Sequence, residues 1–129
     1  RAMVAAGNGG KIVNIGSAYS VYGTPEFVDY GSSKTGVLGL TRGLAIELAP
    51  YNIQVTAILP GWYETDMTTG HSTSRGDEIP RKTPAGRWGI PEDLVGAAVF
   101  LASDASAFVT GIGLPVDGGY TISERFTSD

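Results

Sequence analysis

Tyr30 and Lys34 stand four apart in Tyr-Gly-Ser-Ser-Lys, at the head of a stretch that reads as helix. Four residues make about one helical turn, so the two side chains share a face. Free tyrosine, with a pKa near ~10, is a poor base at neutral pH. An ammonium beside it favours the phenolate. A tyrosine coupled to a lysine is then a general acid/base for a hydroxyl proton. The same spacing also occurs on solvated faces of many amphipathic helices, so the pair needs its context. Ser17 lies thirteen residues before Tyr30, at the end of an apolar run, and offers a second hydroxyl.

The elements that must hold these residues can be read from periodicity. Lys11 to Ile15 is short, apolar and β-branched after a glycine turn, which predicts a buried strand. In open parallel sheets ligands bind beyond the carboxyl ends of strands, which is where Ser17 falls. Residues 18–29 read as a loop with Pro25 and several aromatics. A helix is expected from about Tyr30 to Ala49, with Val37, Leu40, Leu44 and Leu48 as its apolar stripe, and Pro50 stopping it. Gly36, Gly39 and Gly43 weaken that helix by about 1 kcal/mol each relative to alanine. They serve either packing against the sheet or close approach of a second subunit's helix. Ile53 to Leu59 is the second strand, ended by Pro60-Gly61. Residues 62–90 form a long polar segment, read as a lid over the site. Pro91 suits the first turn of another helix, which runs to about Ala102, with Glu92 and Asp93 at its positive end. Ile112 to Val116 is the last strand, and Pro115 places it at a sheet edge. Strand, helix, strand, helix, strand predicts an α/β fold, half of a doubly wound parallel sheet.

The wording around Tyr30 and Lys34 is more specific than the pair. Gly10-Lys11-Ile12-Val13-Asn14-Ile15-Gly16-Ser17 precedes it. Gly39-Leu40-Thr41-Arg42-Gly43-Leu44-Ala45-Ile46-Glu47-Leu48 and Ile53-Gln54-Val55-Thr56-Ala57-Ile58-Leu59-Pro60-Gly61 follow. Then come Phe100 to Ser106, Thr110-Gly111 and Val116-Asp117-Gly118-Gly119. In this order the blocks resemble the C-terminal half of the short-chain dehydrogenase/reductase family, from about Gly10 to about Tyr120. The resemblance implies a Rossmann-type fold and a hydride transfer between NAD or NADP and a secondary alcohol or ketone. It implies that Ser17, Tyr30 and Lys34 are catalytic, with Ser17 also on the substrate. Tyr30, Lys34, Pro60, Gly61, Tyr63 and Thr65 would contact the cofactor, and Trp62 the substrate. Tyr63, His71 and Trp88 are further aromatic candidates for the pocket, and Arg87 reads as an anchor for the lid. Ser20, Ser32 and Ser33 read as turn or helix-surface hydroxyls. Thr56 departs from the family's usual asparagine, which is expected to change local hydrogen bonding but not the reaction. The segment Trp62 to Trp88 resembles sugar, deoxygluconate or gluconate dehydrogenases; 3-oxoacyl reductases are the alternative. A different class stays open, a non-catalytic binding or oligomerisation module of the same fold.

Composition bounds the rest. The chain has 129 residues, 42% hydrophobic and 17% charged, with 19 glycines, which suits one compact α/β unit. A net charge of −4 without a basic stripe argues against nucleic acid. With no cysteine there is neither a disulfide framework nor a thiolate site. His71 is the single histidine, and Asp117 stands beside glycines as a turn residue, so no metal is expected. No apolar run approaches the ~20 residues of a membrane span, so a cytoplasmic protein is expected. The chain opens on Arg1, and Arg1 to Ala6 reads as the tail of a helix stopped by Gly7 to Gly10. Family members are longer and carry a Gly-rich phosphate loop after their first strand, which nothing here matches. These residues therefore read as part of a larger polypeptide and are not expected to hold a dinucleotide alone. A homo-oligomer, a dimer or tetramer, is expected through the glycine-bearing helix and the terminal strand.

Overall fold

The computed structural model describes residues 1–23, 26–68 and 76–123. A first helical turn, α1 (Ala2–Ala6), ends where Gly7 takes a left-handed conformation at φ 69°, the helix stop expected there. Strand β1 (Gly10–Ile15) follows, then helix α2 (Val28–Leu48) and strand β2 (Ile53–Pro60). After them come a short helix α3 (Glu78–Lys82), helix α4 (Val95–Ala102) and strand β3 (Gly113–Val116). Pro91 occupies the first turn of a 3₁₀ segment, Pro91–Leu94, that leads into α4. Pro25 and His71 lie outside the described residues.

The three strands form one parallel sheet in the order β1-β2-β3. The register pairs Gly10 with Ile53 and Ile15 with Ile58, and Ala57 with Gly113. β2 is central, and alternate residues show it: Ile53, Val55, Ala57 and Leu59 are almost fully buried. On that face α2 covers the sheet. Leu38 packs with Ala57 and Leu59, while Ala45 packs with Ile53 and Val55, flanked by Met3, Ile12, Leu44 and Leu48. β3 is an edge strand among the described residues, as is β1, and Pro115 suits that place.

One expectation about α2 needs correction. The buried residues are Leu38, Thr41 and Ala45, whereas Leu40 is 55% exposed. Leu40 lies two residues beyond Leu38, about 200° round the helix, and so points away from the sheet. Beside Leu38, the buried face uses the small side chains of Thr41 and Ala45, which an apolar-stripe reading discounts, while Leu44 and Leu48 of the expected stripe pack partly buried against the core. For the glycines of α2 the sequence leaves two readings open. A Cβ added at Gly36, Gly39 or Gly43 would meet nothing within 4 Å, so these residues do not pack on the sheet. They lie on an open face with Leu40 (55% exposed) and Ile46 (79% exposed) near them.

Candidate active site

The carboxyl ends of β1 and β2 open onto a cavity of about 540 Å³. All eight residues nominated from the sequence line it: Ser17, Tyr30, Lys34, Pro60, Gly61, Trp62, Tyr63 and Thr65. Three loci separated by up to 48 positions therefore meet at one place.

Ser17 follows β1 directly and caps a 3₁₀ turn, Ala18–Ser20. The Tyr19 N–H donates to Ser17 Oγ at 3.2 Å, and the Ser17 N–H donates to Ser20 Oγ at 3.1 Å, a reciprocal capping box. Ser20 is the surprise among the serines. Its hydroxyl is not on the surface but buried, and it donates onward to the Lys34 carbonyl at 2.8 Å. Ser33 behaves as expected, its hydroxyl donating to the Tyr30 carbonyl one turn back at 2.7 Å.

Tyr30 and Lys34 sit in the first two turns of α2, one above the other. The Lys34 ammonium lies 5.6 Å from the centre of the Tyr30 ring and donates to the Ile15 carbonyl at 3.1 Å. That bond ties the helix to the end of β1 and aims the ammonium at the cavity. On the far side, Tyr19 meets the Tyr30 ring edge to face, at 6.0 Å between centres. Tyr19 also contacts Tyr22, Phe27 and Trp62. Tyr19, Tyr22 and Phe27 line the cavity but carry no motif; only the density of aromatic residues between 19 and 30 signals them. Burial, reinforced by the neighbouring Tyr120 and Tyr19, pushes the Tyr22 hydroxyl pKa well above its ordinary value. Its oxygen is closed off from solvent, and the Tyr120 ring lies beside it, 6.1 Å between ring centres.

The other wall comes from the segment after β2. Gly61 has a local reason to be glycine: a Cβ there would come within 2.7 Å of the Asp117 Cβ. Tyr63 is buried, and its hydroxyl donates to the Val116 carbonyl at 2.8 Å, so only its ring faces the cavity. Burial pushes the Tyr63 pKa up to about 12, with the Asp93 and Asp117 carboxylates adding to the shift. Thr68 Oγ1 accepts from the Thr65 N–H at 2.9 Å, so Thr65 sits in a tight turn at the cavity rim. Asp117 is the turn residue expected of it: its carboxylate accepts from Gly119 N, Thr121 N and Thr121 Oγ1.

Arg87 and Trp88 lie apart from the nominated set. Arg87 forms a two-pronged ion pair with Asp93, at 2.7 and 2.9 Å, and also donates to the Trp88 carbonyl. The hydrogen bonds from Arg87 and the Ile90 N–H hold the Asp93 carboxyl down at about 2. This pair borders a second, smaller hollow of about 260 Å³ behind Tyr63. Trp88 is buried, edge to face with Trp62 at 5.7 Å, and its indole N–H donates to the Gly76 carbonyl. It packs beneath the segment and does not line the main cavity.

A family model described as enoyl-(acyl carrier protein) reductase matches residues 1–121. The chain is 49% identical over 119 residues to 2-dehydro-3-deoxy-D-gluconate 5-dehydrogenase of Escherichia coli K12, covering 91% of this chain and 47% of that one. It is 43% identical over 110 residues to 3-oxoacyl-[acyl-carrier-protein] reductase FabG of Rickettsia bellii, covering 85% of this chain and 46% of the relative. Among solved structures, a gluconate 5-dehydrogenase from Burkholderia cenocepacia, in complex with NADP and tartrate, superposes with a TM-score of 0.91 at 42% identity. That match covers 95% of this chain and 49% of the other. The chain thus spans about half the length of the proteins it matches. With its parallel sheet, its Ser17, Tyr30 and Lys34 at one cavity and these matches, the chain belongs to the short-chain dehydrogenase/reductase family.

Proposed function

We propose that the intact protein is an NAD- or NADP-dependent oxidoreductase acting on a secondary alcohol or ketone of a sugar acid. The observation that carries this reading is the meeting of Ser17, Tyr30 and Lys34 with Pro60, Gly61 and Thr65 around one cavity. The nicotinamide supplies or accepts the hydride. This chain's residues orient the substrate and move the proton. Because the Tyr19 N–H already donates to Ser17 Oγ, the serine keeps its own proton to give to a substrate oxygen. Tyr30 takes the alcohol proton during oxidation and returns it during reduction. The Lys34 ammonium, anchored on Ile15 and 5.6 Å from the centre of the Tyr30 ring, would hold a ribose hydroxyl of the cofactor beside that tyrosine. Pro60, Gly61, Thr65 and the ring of Tyr63 would border the nicotinamide, and Trp62 would face the substrate. The names of the gluconate-type relatives support a polyhydroxylated acid, and the FabG match makes a 3-oxoacyl thioester the comparison substrate.

Tyr30→Phe keeps the ring and removes the proton carrier. In the intact protein it should lower turnover by at least ~10², the scale of general acid/base catalysis, with cofactor affinity little changed. Absorbance of the reduced nicotinamide follows the reaction, and near wild-type turnover in this variant would sink the assignment. Side-by-side assays with a keto-sugar acid and a 3-oxoacyl thioester decide between the two substrate classes.

The same reading makes residues 62–90 a lid, clipped at its base by Arg87 and Asp93. It also includes a homo-oligomer, a dimer or tetramer, through the open face of α2. In support, Gly36, Gly39 and Gly43 leave room there for another helix backbone. Among the described residues no helix is long and apolar enough to cross a membrane. We take the cytoplasm as the protein's location, which fractionation of the source cells would check.

A further inference from the structure

Ser17 and the helix α2 that carries Tyr30 and Lys34 are different elements, and the distance between them must be held for Ser17 and Tyr30 to act on one substrate oxygen. The hydroxyl of Ser20 joins their backbones. It accepts the Ser17 N–H at 3.1 Å and donates to the Lys34 carbonyl at 2.8 Å. Ser20 is 6% exposed and does not line the cavity, so it has no direct route to a substrate. The space around its hydroxyl is close-packed: a Cβ on Gly16 would come within 3.0 Å of Ser20 Oγ and 2.5 Å of Leu59. Thr35 Oγ1 reaches the Tyr19 and Ser20 carbonyls only at 3.5 Å, whereas the Ser20 hydroxyl gives a short link, 2.8 Å, between the 3₁₀ turn and α2.

We propose that Ser20 is a positioning residue for the reaction, setting where Ser17 stands relative to Tyr30 and Lys34. The proposal rests on the reading of Ser17 as catalytic. Tyr30 and Lys34 share one helix, and the Lys34 bond to Ile15 is independent of Ser20, so their mutual placement does not need it. Removing the hydroxyl frees the Ser17 backbone N–H and loosens the turn that presents the serine. A shift of about 1 Å at a reacting group is worth up to ~10² in rate.

The test is a double-mutant cycle in the intact protein. Ser20→Ala should lower kcat by about tenfold or more. The cofactor dissociation constant should stay within about twofold, because the Pro60 to Thr65 wall is untouched. In a Ser17→Ala background, Ser20→Ala should cause no further loss beyond about twofold, since Ser20 acts only through the group already removed. Ser20→Cys keeps the shape of the side chain with a somewhat larger, weaker hydrogen-bonding group, and should show a smaller loss with the same non-additivity. It carries the cycle if the alanine variant does not fold. Independent, multiplying losses would assign Ser20 to general stability and overturn the proposal, as would a Ser20→Ala enzyme with unchanged kcat. If Ser17→Ala alone left turnover intact, the catalytic reading of Ser17 would itself fall, a result distinct from both.

Discussion

Thr56 shows what a single atom can cost. It is 2% exposed in the middle of β2, and its hydroxyl has no hydrogen-bond partner among the described residues. A buried unsatisfied group costs about 1–3 kcal/mol, while an isosteric methyl in its place restores packing without the penalty. Thr56→Val should therefore raise stability by about 1 kcal/mol in urea titration; a loss of stability would mean that the hydroxyl has a partner. Tyr63 gives a second residue-level prediction. Its folded pKa of about 12 lies above the ordinary value of 10.0, so between the two the folded state holds a proton that the unfolded state has lost. Its contribution is fully present below pH 10.0 and declines as pH rises towards about 12. Tyr63→Phe should flatten this alkaline decline while losing the bond to Val116, which denaturation curves at several alkaline pH values would record. Ser17, Tyr30 and Lys34 could be read from the sequence because their types and intervals are themselves the chemical signal. Ser20 could not: it lies fourteen positions from Lys34, and only the docking of the 3₁₀ turn on α2 makes them neighbours.

Among elements, strands were the most legible and α2 the least. A buried central strand is written in consecutive β-branched and apolar residues, and β2 has little else. The sheet-facing side of α2 is written in a leucine, a threonine and an alanine, while Leu40 and Ile46 lie outside it. Hydrophobicity alone therefore misplaced the face by about a quarter of a turn. Thr41 is buried at no apparent polar cost, because its hydroxyl donates to the Val37 carbonyl and accepts from Asn14 Nδ2. The exposed glycine face leads to an element-level prediction. Gly39→Leu or Gly43→Leu meets no obstacle within the chain, so helix content by circular dichroism should be kept. If a second copy's helix lies on that face, the same substitutions should break the assembly, read by light scattering on the intact protein. An intact assembly in both variants would place the subunit contact elsewhere.

At the scale of the molecule, these residues carry one half of a sheet whose β1 pairs only with β2 among the described residues. An unpaired strand edge is a template for further pairing. Several large apolar side chains are also uncovered, including Val95, Val99, Phe100 and Phe108. The 129 residues produced alone should therefore bind a dye that reports apolar surface, and the intact protein should bind it much less. Equal dye binding by both would show that this surface is exposed in the whole protein. The extent of the family could be read from ordered blocks along the sequence, whereas these uncovered faces could not, since they depend on which neighbours are present.

The contacts between the segment after β2 and the turn after β3 have a practical side. Gly61 abuts Asp117, Tyr63 is tied to Val116, and the Ala85 N–H donates to the Gly118 carbonyl while Gly119 lies against Pro84. One wall of the cavity is thus cast against a stretch near the end of the sequence that scarcely touches the cavity itself. Anyone building a library to change what the proposed site accepts should randomise positions 117–121 together with 61–65. A collection confined to cavity-lining positions would hold fixed the mould that shapes them.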